Sequence, residues 1–144
     1  MLLIYSRCAR NKIKTRIEAI DGKYEVGGVL LGYKRLSIAF VLDVTYSEAS
    51  GKMANVEFVL DGEEHSALAY RIINACLVKP KVLGIWHSHV SGLMEFSVQD
   101  QKSNYIMAQN FNGVYSSIVD GAAFKIKTWY IPKKKHKKEC ITIY

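Results

Sequence analysis

The stretch from Lys81 to His89 limits the possible folds of this chain more than any other. Its apolar run, Val82 to Trp86, predicts a strand that is buried on both faces. Side chains two positions apart on a strand project to the same face, so His87 and His89 point the same way where the strand ends. The sequence therefore predicts a buried strand whose last residues offer two imidazoles to a single ion.

Asp100 can supply a third ligand if the chain turns back through Ser91-Gly92 and begins a helix near Ser97. The Ser97-x-x-Asp100 pattern is also typical of a helix cap, with the hydroxyl at N-cap and the acid at N3. The two interpretations are compatible, because Ser97 can begin the helix while the Asp100 carboxylate turns to the metal. Two histidines and one carboxylate indicate an open zinc site with three protein ligands.

A hydrolytic zinc site also needs a carboxylate that accepts a proton and returns it to the leaving group. Glu95, in the predicted ligand loop, and Glu25 are candidates. Glu25 is favoured because it leads into the apolar, glycine-rich run Val26 to Gly32, where a charged residue needs a partner. The alternative, that Glu25 is an exposed residue ahead of the strand, stays open. The glycines indicate a bulge or the close approach of another backbone or a ligand.

The remaining chain alternates strands with helices, so we expect an α/β fold in which a central mixed β-sheet is flanked by about three helices. Asp120-Gly121 predicts a two-residue hairpin turn. Helices are predicted from Ser6 to about Gly22, from the capping pair Asp61 and Glu64 to before Pro80, and from Ser97 to before Asn112; the other strands are predicted at Met1 to Tyr5, Glu25 to Gly32, 36–46, Val56 to Leu60, Tyr115 to Val119 and Ala123 to Ile131, with a loop at Ser47 to Met53.

The 144 residues suffice for a single domain, at 1–131, followed by a basic segment at 132–144 that can end in a short strand. This segment holds five lysines and one acid, which is more than half of the net charge of +7. No aromatic residues interleave with the lysines, so we expect a solvated tail and no nucleic-acid site.

Cys8, Cys76 and Cys140 are scattered and form no Cys-x-x-Cys pair, which argues against a disulfide framework and against a sulfur-ligated zinc. No apolar run approaches the roughly 20 residues that a membrane span needs, and no signal peptide opens the chain. These features predict a cytoplasmic protein that does not enter a membrane.

The polar residues are arranged in a way that resembles the JAMM motif of the MPN-domain metalloproteases. The matching elements are Glu25 ahead of Gly27 to Gly32, then His87-Ser88-His89, seven residues, Ser97, two residues and Asp100. The order of predicted elements over about 1–131 is also similar to that family, so the resemblance implies a single MPN (JAB)-like domain. It further implies one Zn²⁺ held by His87, His89 and Asp100. Glu25 would be the general acid/base, and Ser97 would stabilise the oxyanion of the tetrahedral intermediate.

The resemblance implies a zinc metallopeptidase that cleaves isopeptide or peptide bonds after the C-terminal glycine of ubiquitin-like, β-grasp modifiers. Val90 and Phe96 stand where the family usually has proline. The compact size resembles prokaryotic members, some of which are encoded beside E1- and E2-like enzymes in anti-phage operons. Two alternatives remain open: a zinc hydrolase acting on a sulfur-carrier adduct or another peptide, and a non-enzymatic MPN-type scaffold.

Overall fold

Seven strands and three helices make up the described part of the chain. The computed structural model describes residues 1–21, 23–46, 62–134 and 136–144. In chain order the elements are β1 Leu2–Tyr5, α1 Arg7–Ala19, β2 Gly27–Arg35, β3 Ile38–Val44, α2 Gly62–Ala75, β4 Lys81–His89, α3 Val98–Phe111, β5 Val114–Asp120, β6 Lys125–Ile131 and β7 Lys138–Ile143. The predicted strand Val56 to Leu60, the loop Ser47 to Met53, the capping role of Asp61 and the helix end at Gly22 lie outside the described residues.

The strands close into a barrel in the order β1-β3-β2-β4-β5-β6-β7, with β7 returning to β1. The prediction of an MPN-like α/β domain built on a central sheet is therefore wrong. The barrel is mixed, because β1 runs parallel to both of its neighbours and β4 runs parallel to β5, whereas the other pairs are antiparallel. Closure depends on Leu2 lying opposite both Ile38 and Ile141. Residues so distant in the chain leave no local pattern from which their pairing can be predicted.

Alternating side chains divide each strand between an inner and an outer face. The inner face forms the main core, in which Leu3, Val41, Trp86, Val119 and Cys140 pack together. Helix α1 adds Ala9, Ile13 and Ile17 to this core. Ser6 caps the helix by accepting a hydrogen bond from the Ala9 N–H. The inner face thus holds the largest apolar cluster of the described residues.

Two helices cover part of the outer face. Helix α2 packs Ala69 against Val29 and Leu31 of β2. Helix α3 packs Ala108 against the outer residues of β5 and β6, in a cluster that includes Phe96, Val114, Ile118, Trp129 and Ile131. None of the helices in the described ranges is long and apolar enough to cross a lipid bilayer.

The glycines of β2 are required by close backbone approaches. A Cβ on Gly28 would collide with the carbonyl oxygen of Thr45, and one on Gly32 would collide with that of Phe40. The pairing of β2 with β3 also shifts register between Leu31 and Gly32. Both a close approach and a bulge, the two reasons expected for glycine in a strand, are therefore present.

The β5–β6 connection differs from the predicted two-residue turn. Asp120 pairs with Lys125, so four residues, 121–124, connect the strands. The Asp120 carboxylate accepts hydrogen bonds from the N–H groups of Ala122 at 2.9 Å and Ala123 at 3.2 Å. Phe124 has a φ of +47°. Asp120 stabilises the longer turn through its side chain, which the Asp-Gly signal alone does not distinguish from a tight hairpin.

Candidate metal centre

The two histidines lie at the carboxyl end of β4 and point away from the barrel core. Trp86, which alternates with them, packs in the inner cluster, so the imidazoles occupy the outer face. Their Nε2 atoms are 2.9 Å apart. Both residues are buried, with 3% of His87 and 8% of His89 exposed. The predicted projection of His87 and His89 to one face is confirmed.

Asp100 reaches the histidines from the first turn of α3. One carboxylate oxygen, Oδ1, is 3.3 Å from Nε2 of His87, and the other, Oδ2, is 3.7 Å from Nε2 of His89. The Ser97 N–H and hydroxyl donate to Oδ2 at 2.8 and 2.7 Å, and the Asp100 N–H donates to the Ser97 hydroxyl at 3.1 Å. The capping box is confirmed, and it fixes the carboxylate beside the imidazoles, where Asp100 could also contact an ion.

Hydrogen bonding determines which nitrogen of His89 is free to bind an ion. Nδ1 lies 2.6 Å from the carbonyl oxygen of Leu93, and a carbonyl can only accept, so Nδ1 must carry the proton. In the neutral ring Nε2 then presents a lone pair to the centre, as in metal sites whose ligand histidine donates its other N–H to a carbonyl. Sequence reasoning missed Leu93, because its contribution is a backbone atom.

The groups around Asp100 and His89 favour the ionised form of the Asp100 carboxylate. Burial alone would raise the pKa of Asp100, but hydrogen bonds and charge interactions with His87 and His89, and the Ser97 hydroxyl, hold it well below the usual range. The Asp100 carboxylate raises the pKa of His89, against the opposing effect of burial, with further contributions from the Leu93 carbonyl and the charge of Glu25. The centre thus keeps a carboxylate ionised among two imidazoles, which is the ionisation state of a metal-binding acid.

Strand register places Glu25 beside the same centre. Gly27 lies opposite His87 in the antiparallel β2–β4 pair, and two hydrogen bonds join Val26 to Ser88, so Glu25 faces His89. The Ser88 N–H donates to the Val26 carbonyl at 2.7 Å, and the Val26 N–H donates to the Ser88 hydroxyl at 3.0 Å. The half-buried Glu25 therefore lies on the face that carries the imidazoles. Ser88 is a second residue that sequence reasoning missed.

The other candidates contribute less. Glu95 is exposed in the loop between β4 and α3. Phe96 stands at a position where the family of the resemblance often has proline. It is buried and packs against Trp129 with ring centres 4.5 Å apart, so it anchors the end of that loop by apolar contact. Cys8, Cys76 and Cys140 are all unpaired thiols, and the group of potential metal ligands includes none of them.

His87, His89 and Asp100 form a group that could hold a metal ion. Their nearest nitrogen and oxygen ligand atoms all lie within 4.8 Å of one another. Two imidazole nitrogens and a carboxylate oxygen suit several divalent ions, and three protein ligands with a remaining open position are typical of catalytic zinc sites. The residues present therefore fit a divalent metal ion, and Zn²⁺ is among the ions that this donor set suits.

Comparisons with known proteins give information on the fold. No family model matches the chain, and no curated protein matches it. Among solved structures, the chain is similar to the solution structure of protein DSY2949 from Desulfitobacterium hafniense, with a TM-score of 0.72 and 19% sequence identity. The match covers 99% of this chain and 92% of that one. At this identity the similarity shows a shared fold and nothing about activity.

Proposed function

We propose that this protein is a zinc-dependent isopeptidase or peptidase of the JAMM type, which cleaves after the C-terminal glycine of a ubiquitin-like, β-grasp modifier. The observation that carries the proposal is the convergence of His87, His89 and Asp100 within 4.8 Å, with Glu25 opposite His89 in the strand register. The segment that leads into β2 thus adds a carboxylate to the residues of β4 and α3, which supports a site of the type that the resemblance implies. The reaction would be deconjugation of a modified protein or processing of a modifier precursor.

The chemistry assigned to the ion is that of a Lewis acid. A bound Zn²⁺ would polarise the substrate carbonyl and lower the pKa of water to about 7. Glu25 would accept a proton from the attacking water and return it to the leaving amine. The proximity of Glu25 to His89 supports this role, because the Glu25 carboxylate acts electrostatically on that imidazole.

Ser97 would stabilise the oxyanion that forms on the scissile carbonyl. In the structure its hydroxyl donates to Asp100 Oδ2 at 2.7 Å, so it would have to turn from that acceptor to donate to substrate. Gly27 brings no side chain to the position opposite His87, which supports access for a narrow glycine-ended peptide. The unpaired thiols Cys8, Cys76 and Cys140 are in keeping with a reducing cytoplasm, where E1- and E2-like enzymes would act on the same modifier.

The test uses purified protein and a defined substrate panel. A β-grasp modifier is joined through its C-terminal glycine to a fluorescent cargo, once by a linear peptide bond and once by an isopeptide bond to lysine. We expect cleavage that a chelator abolishes and added Zn²⁺ restores. Glu25→Gln should bind zinc but not cleave, whereas Glu139→Gln, a change of an exposed residue on β7, should cleave normally. Cleavage that persists in the chelator, or in Glu25→Gln, would show the mechanism to be wrong.

A sulfur-carrier adduct and an unrelated peptide complete the panel. If the zinc-loaded protein cleaves one of these and neither modifier fusion, the substrate class in the proposal is wrong while the zinc chemistry stands. If it binds zinc and cleaves nothing in the panel, a non-enzymatic role is favoured.

A further inference from the structure

Three neighbouring strands carry aliphatic and aromatic side chains on the outside of the barrel. Leu2 of β1 lies opposite Ile38 of β3 on one side and Ile141 of β7 on the other. Ile4 lies in the same way between Phe40 and Ile143. We call this surface the β3–β1–β7 face; it consists of Leu2, Ile4, Ile38, Phe40, Ile141 and Ile143.

This face is exposed although its residues are large and apolar. Ile141 is 71% exposed, Ile143 52%, Ile38 49% and Phe40 37%. The alternate residues of the same strands, including Leu3, Val41 and Cys140, already fill the core, so the outer set cannot turn inward. Strands with one wet face normally place polar residues outward.

The rest of the barrel shows how its apolar outer residues are normally covered. Helix α2 packs on Val29 and Leu31 of β2, and α3 packs on Ile118 of β5 and Trp129 of β6. No described helix packs in this way on the β3–β1–β7 face, and its exposed fractions show that it faces solvent. The largest contiguous apolar patch on a protein surface is often functional.

We propose that a second copy of this chain covers the β3–β1–β7 face, so that two barrels pack sheet against sheet as a dimer. The area supports a partner of this kind. Ile38, Phe40, Ile141 and Ile143 together expose on the order of 400 Å². A standard interface takes about 800 Å² from each partner, of which a little over half is apolar, or roughly 450 Å². Leu36, which is 88% exposed in the β2–β3 turn, extends the same edge.

The position of the face is compatible with the candidate metal centre. In the barrel order, β4 is separated from β1 by β3 and β2 on one side and by three strands on the other. His87, His89 and Asp100 therefore lie on the far side of the barrel from the dimer contact. Packing through β1 would leave both centres open to solvent.

Charged residues lie at the borders of the face and not within it. On one border, Arg35 of β2 lies opposite Ile38 of β3. On the other border, β6 carries Lys125 and Lys127, and Lys127 Nζ is 3.4 Å from a Glu139 carboxylate oxygen. In the dimer these mainly basic borders would approach each other at the rim, where salt screens them. Added salt weakens the repulsion between the basic borders and leaves the apolar centre of the contact intact. Association should therefore strengthen when salt is added.

The test is the oligomeric state of the full chain. Sedimentation velocity and light scattering, from low micromolar to several hundred micromolar protein, should show a concentration-dependent species of twice 16.3 kDa. Ile141→Lys should weaken the dimer roughly 100-fold, because it places a charge at the apolar centre. Ile106→Lys is the matched control, since Ile106 is 62% exposed on α3 outside the face, and it should leave the dimer unchanged.

Circular dichroism and thermal melting of each variant show whether the fold is retained. Ile38→Lys repeats the test on the opposite edge of the face if Ile141→Lys does not fold. A wild-type chain that stays monomeric at every concentration would overturn the proposal and assign the face to a different partner. Equal loss of dimer in Ile106→Lys, or a dimer that dissociates as salt is added, would overturn it as well.

Discussion

Ser88 and Val26 are joined by two hydrogen bonds, one through the Ser88 N–H and one through its hydroxyl. The pair ties the residues just before β2 to β4, at the point where Glu25 and His89 face each other. The residue between the two histidines therefore positions the proposed acid/base without contacting the ligand atoms. The Val26 N–H donates to the Ser88 hydroxyl, so the contribution of this hydrogen bond to the free energy of unfolding can be measured by a single substitution of Ser88.

Ser88→Ala should destabilise the protein by about 1–3 kcal/mol, because the buried Val26 N–H loses its acceptor. It should also lower turnover while the zinc content stays the same. Ser116→Ala is the matched control: Ser116 is fully buried, and within the described residues its hydroxyl has no hydrogen-bond partner. Urea denaturation and metal analysis check both variants. Equal destabilisation by the two substitutions would contradict the role of Ser88.

Metal content should separate the ligands from the proposed acid/base. His87→Ala and Asp100→Ala should lose the proposed ion, because each removes one of the three candidate ligands. Glu25→Gln should retain it and lose turnover. Mass-spectrometric metal analysis of the purified proteins makes the comparison, with the exposed His136→Ala as control. If all three site variants lose the ion equally, Glu25 is a ligand or a structural residue.

Ser97 has an observed role as the cap of α3 and a proposed role at the oxyanion, and the two can be separated by substitution. Ser97→Ala should cost about 1 kcal/mol of stability through the lost helix cap. Its turnover should fall by a factor of about 10 to 1,000 if the hydroxyl also stabilises the oxyanion. Ser97→Thr keeps a hydroxyl and a cap, so it should retain most of both. Stability and turnover are measured on the same preparations; loss of stability alone would limit Ser97 to capping α3 and orienting Asp100.

Gly28 and Gly62 offer a matched pair for the backbone of β2. Gly28→Ala should cost about 1–3 kcal/mol or prevent folding, because its Cβ would collide with the Thr45 carbonyl. Gly62 begins α2, and among the described residues a Cβ there would meet nothing within 4 Å. Gly62→Ala should therefore be neutral or stabilise by up to about 1 kcal/mol. Thermal unfolding distinguishes the two, and similar melting temperatures would show that β2 and β3 do not approach as described.

The thiols report on the docking of β7. Cys140 is buried in the core, and burial raises the pKa of its thiol, so little thiolate is present near neutral pH. Cys8 is exposed on α1. In a Cys76→Ser background, iodoacetamide at pH 8 should label Cys8 rapidly and Cys140 only after denaturant is added. Similar labelling rates for Cys8 and Cys140 would mean that β7 leaves the barrel readily.

The parts of the structure that were predicted are those encoded locally. Strand β4 has the predicted bounds, Lys81 to His89, and α3 is capped by Ser97, because hydrophobic runs and capping pairs are short-range signals. The projection of His87 and His89 to one face follows from strand periodicity, and so was also predictable.

The parts that were not predicted depend on distant or backbone contacts. Barrel closure requires Leu2 to pair with Ile141, and no local pattern encodes that register. The Leu93 carbonyl that orients His89 carries no side-chain information, so no residue type reveals it. The Asp120-Gly121 dipeptide predicts a two-residue turn. The longer turn that forms depends on the hydrogen bonds that the Asp120 carboxylate accepts, which the dipeptide does not encode.

The parallel pairing of β1 with β7 also has a consequence for synthesis of the chain. Residue 2 is synthesised before all five intervening strands, and its partner at position 141 becomes available only after them. Until then one edge of β1 has unpaired backbone groups beside apolar side chains, a surface prone to association between nascent chains. We therefore expect the pairing of β1 with β7 to be the slow, long-range step in the folding of this barrel.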